Sequence, residues 1–154
     1  MELILWRHAE AEDANGKADT DRELTKKGRK QAERMAQWLR PKLDGDWRIL
    51  VSPAKRALQT LKPLDMPSEE SEAVGLSADA GSVLRAAGWP DSRKPVLVVG
   101  HQPTLGEVAS RLLLGQDGEA AMRKGAIWWF VARNREGKME TILKAVMNPD
   151  LLDD

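Results

Sequence analysis

The chain contains no cysteine, which excludes disulfides, thiol nucleophiles and cysteine-based metal sites. It also lacks an excess of either charge: 24 Lys+Arg stand against 24 Asp+Glu in 154 residues. Nucleic-acid partners demand a basic surplus, so none is expected. Long apolar runs are missing. The longest, Ala126 to Ala132, falls far short of the ~20 residues that span a bilayer, and no membrane partner is expected. Glu2 stands where a secretion signal would carry positive charge, so the expected location is the cytoplasm. No G-x-G-x-x-G or G-x-x-x-x-G-K-S/T string occurs, which removes dinucleotide and P-loop nucleotide binding. Histidine occurs only twice. Two histidines without cysteine make a poor ligand set, and neither metal nor other cofactor is expected.

What is present is a chain of one-domain size with 42% hydrophobic residues, enough to argue against disorder. One domain is expected over residues 1–147, with 148–154 a frayed tail. Leu3-Ile4-Leu5-Trp6 is too short to bury a helix and reads as a buried strand. Ala9 to Asp21 is polar, with Asn15-Gly16 as punctuation, and reads as a loop. Thr25 is a helix N-cap candidate, and Ala32, Met35, Ala36 and Leu39 then fall on one helical face. Arg48 to Val51 is a second strand. Ser52-Pro53 after it has the look of a helix start, serine capping and proline in the first turn. A short strand is placed near Ala73-Val74. Asp79 then caps a helix through Val83, Leu84 and Ala87. Pro95 to Val99 is apolar on both faces, the mark of a strand inside a helix-covered sheet. A helix through Leu105, Val108, Ala109 and Leu112 follows. Ala126 to Ala132 and Met139 to Val146 form a terminal hairpin around Asn134-Arg135-Glu136-Gly137. Within it, the adjacent Trp128 and Trp129 must face opposite ways. Alternating strands and helices predict an α/β fold: a three-layer α/β/α sandwich, its central sheet mainly parallel, with an antiparallel hairpin at one edge.

Such sheets bind ligands at the carboxyl ends of their strands. Three strand ends here carry polar groups: Arg7-His8, Ser52 through Arg56, and Gly100-His101. Both histidines of the protein follow a buried strand directly. Each residue alone has an ordinary explanation: a structural histidine, a solvated Arg56, an Arg7 paired with Glu10 or Glu12. Together they suggest an anion pocket. Guanidinium groups present a planar fork to phosphate oxygens, and a neutral imidazole can attack phosphorus while its other nitrogen donates a hydrogen bond. Arg7, Arg56 and His101 around His8 would therefore support phosphoryl transfer through a phosphohistidine without a metal.

The same residues carry a family resemblance. Leu5-Trp6-Arg7-His8-Ala9-Glu10 resembles the R-H-G signature of the histidine phosphatase (phosphoglycerate-mutase-like) superfamily. Arg22-Glu23-Leu24-Thr25 through Gly28, Gln31 and Ala32 resembles its R-x-L-T-x-x-G-x-x-Q-A segment, and Ser52-Pro53 through Thr60 its S-P-x-x-R-A-x-Q-T block. Gly100-His101-Gln102-Pro103 resembles the H-x-P form of the second histidine motif in small, cap-less SixA-type phosphohistidine phosphatases. The resemblance implies a nucleophile at His8 and phosphate contacts from Arg7, Arg56, His101 and Arg22, the last of which periodicity leaves in a loop. Ala9 departs from the usual glycine. The stretch between Arg56 and His101 is too short for the cap that carries a general acid in larger members. Asp79 is the nearest candidate for a weak acid, against its competing assignment as a helix cap. An open site and a missing acid suit a phosphohistidine on a partner protein, because a protonated imidazole leaves readily. Two alternatives stand beside this: a phosphomonoesterase acting on a small phosphate metabolite, and a binding module for phosphate or phosphoprotein that does not turn over.

Overall fold

The computed structural model describes residues 1–153. Six strands form one sheet: β1 (Glu2–Arg7), β2 (Arg48–Val51), β3 (Glu69–Glu70), β4 (Val96–Gly100), β5 (Ile127–Arg135) and β6 (Lys138–Met147). Their spatial order is β3-β2-β4-β1-β5-β6. β3, β2, β4 and β1 are mutually parallel, and β5 and β6 add antiparallel to the β1 edge. Four helices cover the faces: α1 (Lys26–Leu39), α2 (Lys55–Leu61), α3 (Ala80–Ala87) and α4 (Thr104–Leu114).

Alternation along the strands divides the core in two, because successive side chains leave opposite faces. Ile4, Trp6, Leu97 and Val99 pack with Met35, Leu39, Ala57 and Leu61 of α1 and α2. Leu3, Leu5, Val96 and Val98 pack with Val83 of α3 and with Leu105 and Val108 of α4. That is the expected three-layer sandwich, and every residue of β4 is buried, as a doubly covered strand requires. The tryptophan pair also separates. Trp129 meets Trp47 edge-on at 5.6 Å in the first cluster, while Trp128 packs against the second.

α1 is capped as expected, with the Thr25 hydroxyl accepting from Gly28 N–H at 2.9 Å. Gly28 also lets the helix approach the loop after β1: a Cβ there would lie 2.0 Å from the Glu10 carbonyl oxygen. Three expectations are corrected. α2 starts at Lys55 with Ala54 at the cap and no side-chain cap bond, so Ser52 is not its N-cap. The Ser52 hydroxyl instead accepts from Ala54 N–H and meets His101. Ala73-Val74 is not a strand. Ser71 accepts from Ala73 N–H and turns 72–74 into a 3-10 helix, and the pairing strand is the exposed Glu69–Glu70, which has no apolar alternation to betray it. The third is the tail from 148, which keeps defined structure through residue 152. Pro149–Leu152 forms a 3-10 turn, Pro149 is buried, and Asp153 pairs with Arg34 of α1.

Candidate active site

β1 and β4 are parallel neighbours in register, Arg7 opposite Gly100, so the residues that follow them emerge side by side. His8 N–H donates to the Gly100 carbonyl at 3.1 Å, and Gly125 N–H donates to the His8 carbonyl at 3.0 Å. These bonds pin the nucleophile candidate between β4 and the start of β5. The two imidazole centroids lie 5.2 Å apart. Arg56, on the first turn of α2, reaches His8, its Nε 3.3 Å from His8 Nε2.

The loop after His8 is held by residues that the motif strings contain but whose tasks only coordinates show. Thr60 Oγ1 accepts from Ala9 N–H at 2.9 Å and donates to the Arg56 carbonyl. Gln31 accepts from Glu10 N–H, and Gln59 accepts from Leu24 N–H. Ala9 is fully buried against Leu24 and Ala32, so the methyl that replaces the customary hydrogen finds a packing site. Neither Glu10 nor Glu12 pairs with Arg7; Glu10 accepts from the Thr25 hydroxyl.

Hydrogen bonding fixes the state of His8. Its Nδ1 lies 2.8 Å from the Ala9 carbonyl, which can only accept, so Nδ1 carries the proton and Nε2 keeps a lone pair. Arg56 Nε–H donates to that lone pair at 3.3 Å. Burial, with lesser contributions from His101, Arg56 and Arg7, pushes the His8 pKa down to about 3 despite the Ala9 bond. His101 is lowered to about 4, chiefly by burial and next by Arg56. Both imidazoles are therefore neutral near pH 7.

His101 is arranged the other way round. Its Nε2 lies 2.7 Å from Ser52 Oγ. Ser52 already accepts from Ala54 N–H, and among the described residues its own proton has no acceptor but this nitrogen. Giving the serine proton that acceptor puts the His101 proton on Nδ1, which is buried and, among the described residues, has no partner. Among the described residues Arg7 Nε is the other buried side-chain nitrogen without one. Burial also lowers the Arg7 pKa.

Arg7, His8, Arg22, Arg56 and His101 line one open cleft of about 280 Å³, together with Asp19 and Lys124. The structure thus brings all five phosphate-site candidates together. Asp79 is not among the lining residues. It closes a reciprocal capping box with Ser82 at the start of α3, accepting from Ser82 N–H at 2.7 Å. Asp19 and Ser52 are not among the residues that the sequence marks for the site. For Ser52 the motif string was a signal, obscured by its helix-cap chemistry; Asp19 lies in a polar loop with no periodicity to mark it.

The sequence profile described as the histidine phosphatase superfamily, branch 1, matches residues 3–74. The phosphohistidine phosphatase SixA of Escherichia coli K12 is 32% identical over 124 residues, covering 75% of this chain and 76% of that one. The chain belongs to the histidine phosphatase superfamily. A SixA homolog of Haemophilus influenzae is 33% identical over 127 residues, 73% of this chain and 77% of that one. A solved structure of the protein histidine phosphatase SixA complexed with tungstate superimposes with a TM-score of 0.77 at 28% identity, covering 99% of this chain and all of that one. As a SixA-type member of the histidine phosphatases, this chain pairs a phosphatase fold with the cleft described above. No helix among the described residues is long and apolar enough to cross a membrane.

Proposed function

We propose that the chain hydrolyses phosphohistidine on a partner protein through a covalent phosphoryl group on His8. The observation that carries this reading is the convergence of His8, His101, Arg7, Arg22 and Arg56 on one cleft, two of whose buried nitrogens have no partner among the described residues. An oxyanion would accept from both Arg7 Nε–H and His101 Nδ1–H. The names of SixA relatives, one solved with tungstate, support the substrate class.

In the first step His8 Nε2 attacks phosphorus in line with the leaving nitrogen. A new N–P bond forms on His8, the P–N bond of the substrate breaks, and the departing imidazole takes a proton from solvent. In the second step water attacks phosphorus and the His8 N–P bond breaks, giving phosphate and neutral His8. The Ala9 carbonyl holds the Nδ1 proton and lets His8 share the positive charge that develops as Nε2 bonds to phosphorus. Arg7, Arg22, Arg56 and His101 stabilise charge on the equatorial oxygens. No step requires a metal, because guanidinium groups supply the positive charge. Between Arg56 and His101 the chain builds only the rest of α2, β3, α3, β4 and short turns, so the cleft stays open to a protein-borne side chain. A larger groove beside it shares Lys124 and is lined by Lys27, Lys30, Arg34 and Arg123 together with the acids Glu10, Asp150 and Asp153, a mixed-charge surface next to the cleft. A cytoplasmic site of action completes this reading.

The test is capture of the intermediate. A protein phosphorylated on histidine with ³²P should transfer label to wild-type chain as an acid-labile, alkali-stable adduct, and none to the His8→Ala variant. Rates on that substrate should exceed those on a panel of sugar phosphates. Absence of label on wild-type protein would reject the covalent route, and faster turnover of a sugar phosphate would replace the substrate class.

A further inference from the structure

Asp19 occupies an unexpected place for an acid in an anion pocket. Its carboxylate accepts from Arg56 Nη2 at 3.3 Å and from Arg22 Nη1 at 3.1 Å, so one side chain bridges two of the guanidiniums assigned to phosphate. Each of the three pocket arginines also has a separate main-chain anchor. Arg7 donates to the Met122 carbonyl at 2.7 Å, Arg22 Nε to Glu12 at 2.7 Å, and Arg56 Nη1 to the Asp19 carbonyl itself at 2.6 Å. The arginines thus hold their places through backbone oxygens, and the Asp19 carboxylate is an additional ligand.

Exposure shows which partner can move. The Arg56 side chain is 4% exposed and the Asp19 side chain 54%. Asp19 begins the 3-10 turn Asp19–Asp21, where its side chain is not the cap. Rotation of the carboxylate into solvent would leave its own carbonyl on Arg56. Hydrogen bonding to Arg22, and then the proximity and bonding of Arg56, hold the Asp19 carboxyl below the usual carboxylate range despite slight burial, so it is anionic at neutral pH.

We propose that Asp19 is a built-in competitor for the phosphoryl group, a specificity-determining residue whose carboxylate must leave Arg22 and Arg56 before an oxyanion can take both. This rests on the reading of the cleft as a phosphoryl site. An arriving phosphoryl group exchanges one anion for another, so the arginines are never left unpaired in a half-buried site. The same exchange in reverse helps to expel inorganic phosphate after hydrolysis. Affinity for oxyanions is held down, and selectivity passes to contacts beyond the phosphoryl group.

The experiment measures inorganic phosphate as ligand and as competitive inhibitor for wild type, Asp19→Asn and Asp19→Ser. Phosphate should bind Asp19→Ser about five- to tenfold more tightly, the scale of a partly exposed charge-assisted pair. Asp19→Asn should fall between, because an amide oxygen still accepts one arginine bond. KM should drop with the inhibition constant in both variants. Unchanged or weaker phosphate binding in both would overturn the proposal by making Asp19 a clamp that orders the arginines. A large fall in kcat with unaltered phosphate affinity would also overturn it, assigning Asp19 to proton transfer. If phosphate binds neither wild type nor variants and no label reaches His8, the reading of the site fails first. If wild type binds phosphate and forms the adduct but the variants bind it equally well, only the role of Asp19 falls.

Discussion

His8 and His101 follow neighbouring parallel strands, lie 5.2 Å apart and are both neutral, yet the protein engages opposite nitrogens of the two rings. His8 is tied at Nδ1 by a carbonyl, leaving Nε2 with a lone pair. His101 is tied at Nε2 by a hydroxyl, leaving Nδ1 with a proton. One position keeps a lone pair on Nε2 and the other a proton on Nδ1, from the same residue type. The distinction lies in what touches the far nitrogen, since burial depresses both in the same direction. A carbonyl can only accept. A serine that already accepts from a backbone N–H has its proton to give.

The widest break in this comparison is substitution of each histidine in turn. On the proposed mechanism His8→Ala removes the atom that bonds phosphorus, and turnover should fall by more than about 10⁴-fold. His101→Ala removes one donor to the oxyanion, a loss of about 2–4 kcal/mol or roughly 30- to 900-fold, and the phosphorylated His8 should still form slowly. Arg7→Ala and Arg56→Ala belong with His101 in magnitude. Single-turnover assays with ³²P substrate separate the two classes. Equal losses in His8→Ala and His101→Ala, with label on neither, would erase the distinction.

Why the histidines were findable in the sequence, and their difference was not, follows from the kind of information each needs. Burial of β1 and β4 is written in Leu3-Ile4-Leu5-Trp6 and Pro95 to Val99, so the strand ends, and the side chains on them, follow from local pattern. The motif strings then supplied Arg22, which no periodicity places near the site. Tautomers depend on contacts across the fold: Ser52 touches His101 from 49 positions away. Serine followed by proline after a strand carries genuine helix-start chemistry, and only the turn at Ser52-Pro53-Ala54 shows the hydroxyl otherwise engaged. Glu69–Glu70 and the Pro149 turn escaped for a related reason. Their order comes from Val51 and from α1, not from their own composition.

Acid sharpens the comparison from the stability side. An unfolded histidine binds a proton near pH 6.5. In the fold His8 does so only near 3 and His101 near 4. Below pH 6.5 the unfolded chain therefore holds more protons, and stability declines as pH falls. The contribution of each imidazole is full above pH 6.5 and is lost progressively down to its own folded value. His101→Gln should flatten this dependence by up to about 1.4 kcal/mol per pH unit between pH 6 and 4.5. Urea midpoints of wild type and variant at pH 7, 6 and 5 provide the measurement. Parallel curves would mean that His101 titrates normally and that its neutral state at pH 7 owes nothing to the fold.

The finest cut leaves both histidines in place and removes only the hydroxyl. Ser52→Ala should cost about 1 kcal/mol in kcat/KM, near fivefold, the scale of one hydrogen bond. That size alone would not separate a tautomer effect from a packing defect. The nitrogen spectrum does, because the chain has only two imidazoles to resolve. In wild-type protein at pH 7 the proton should be on Nδ1 of both rings. In Ser52→Ala the His101 ring loses the donor that fixed its proton, so its nitrogen shifts should move toward a mixture of tautomers, while those of His8, still held by the Ala9 carbonyl, stay put. Ser52→Thr, which keeps the hydroxyl, should restore the His101 pattern. A wild-type spectrum with the His101 proton on Nε2 would reverse the serine's role to acceptor, and Nδ1 would then offer a lone pair where the phosphoryl oxygens need a donor.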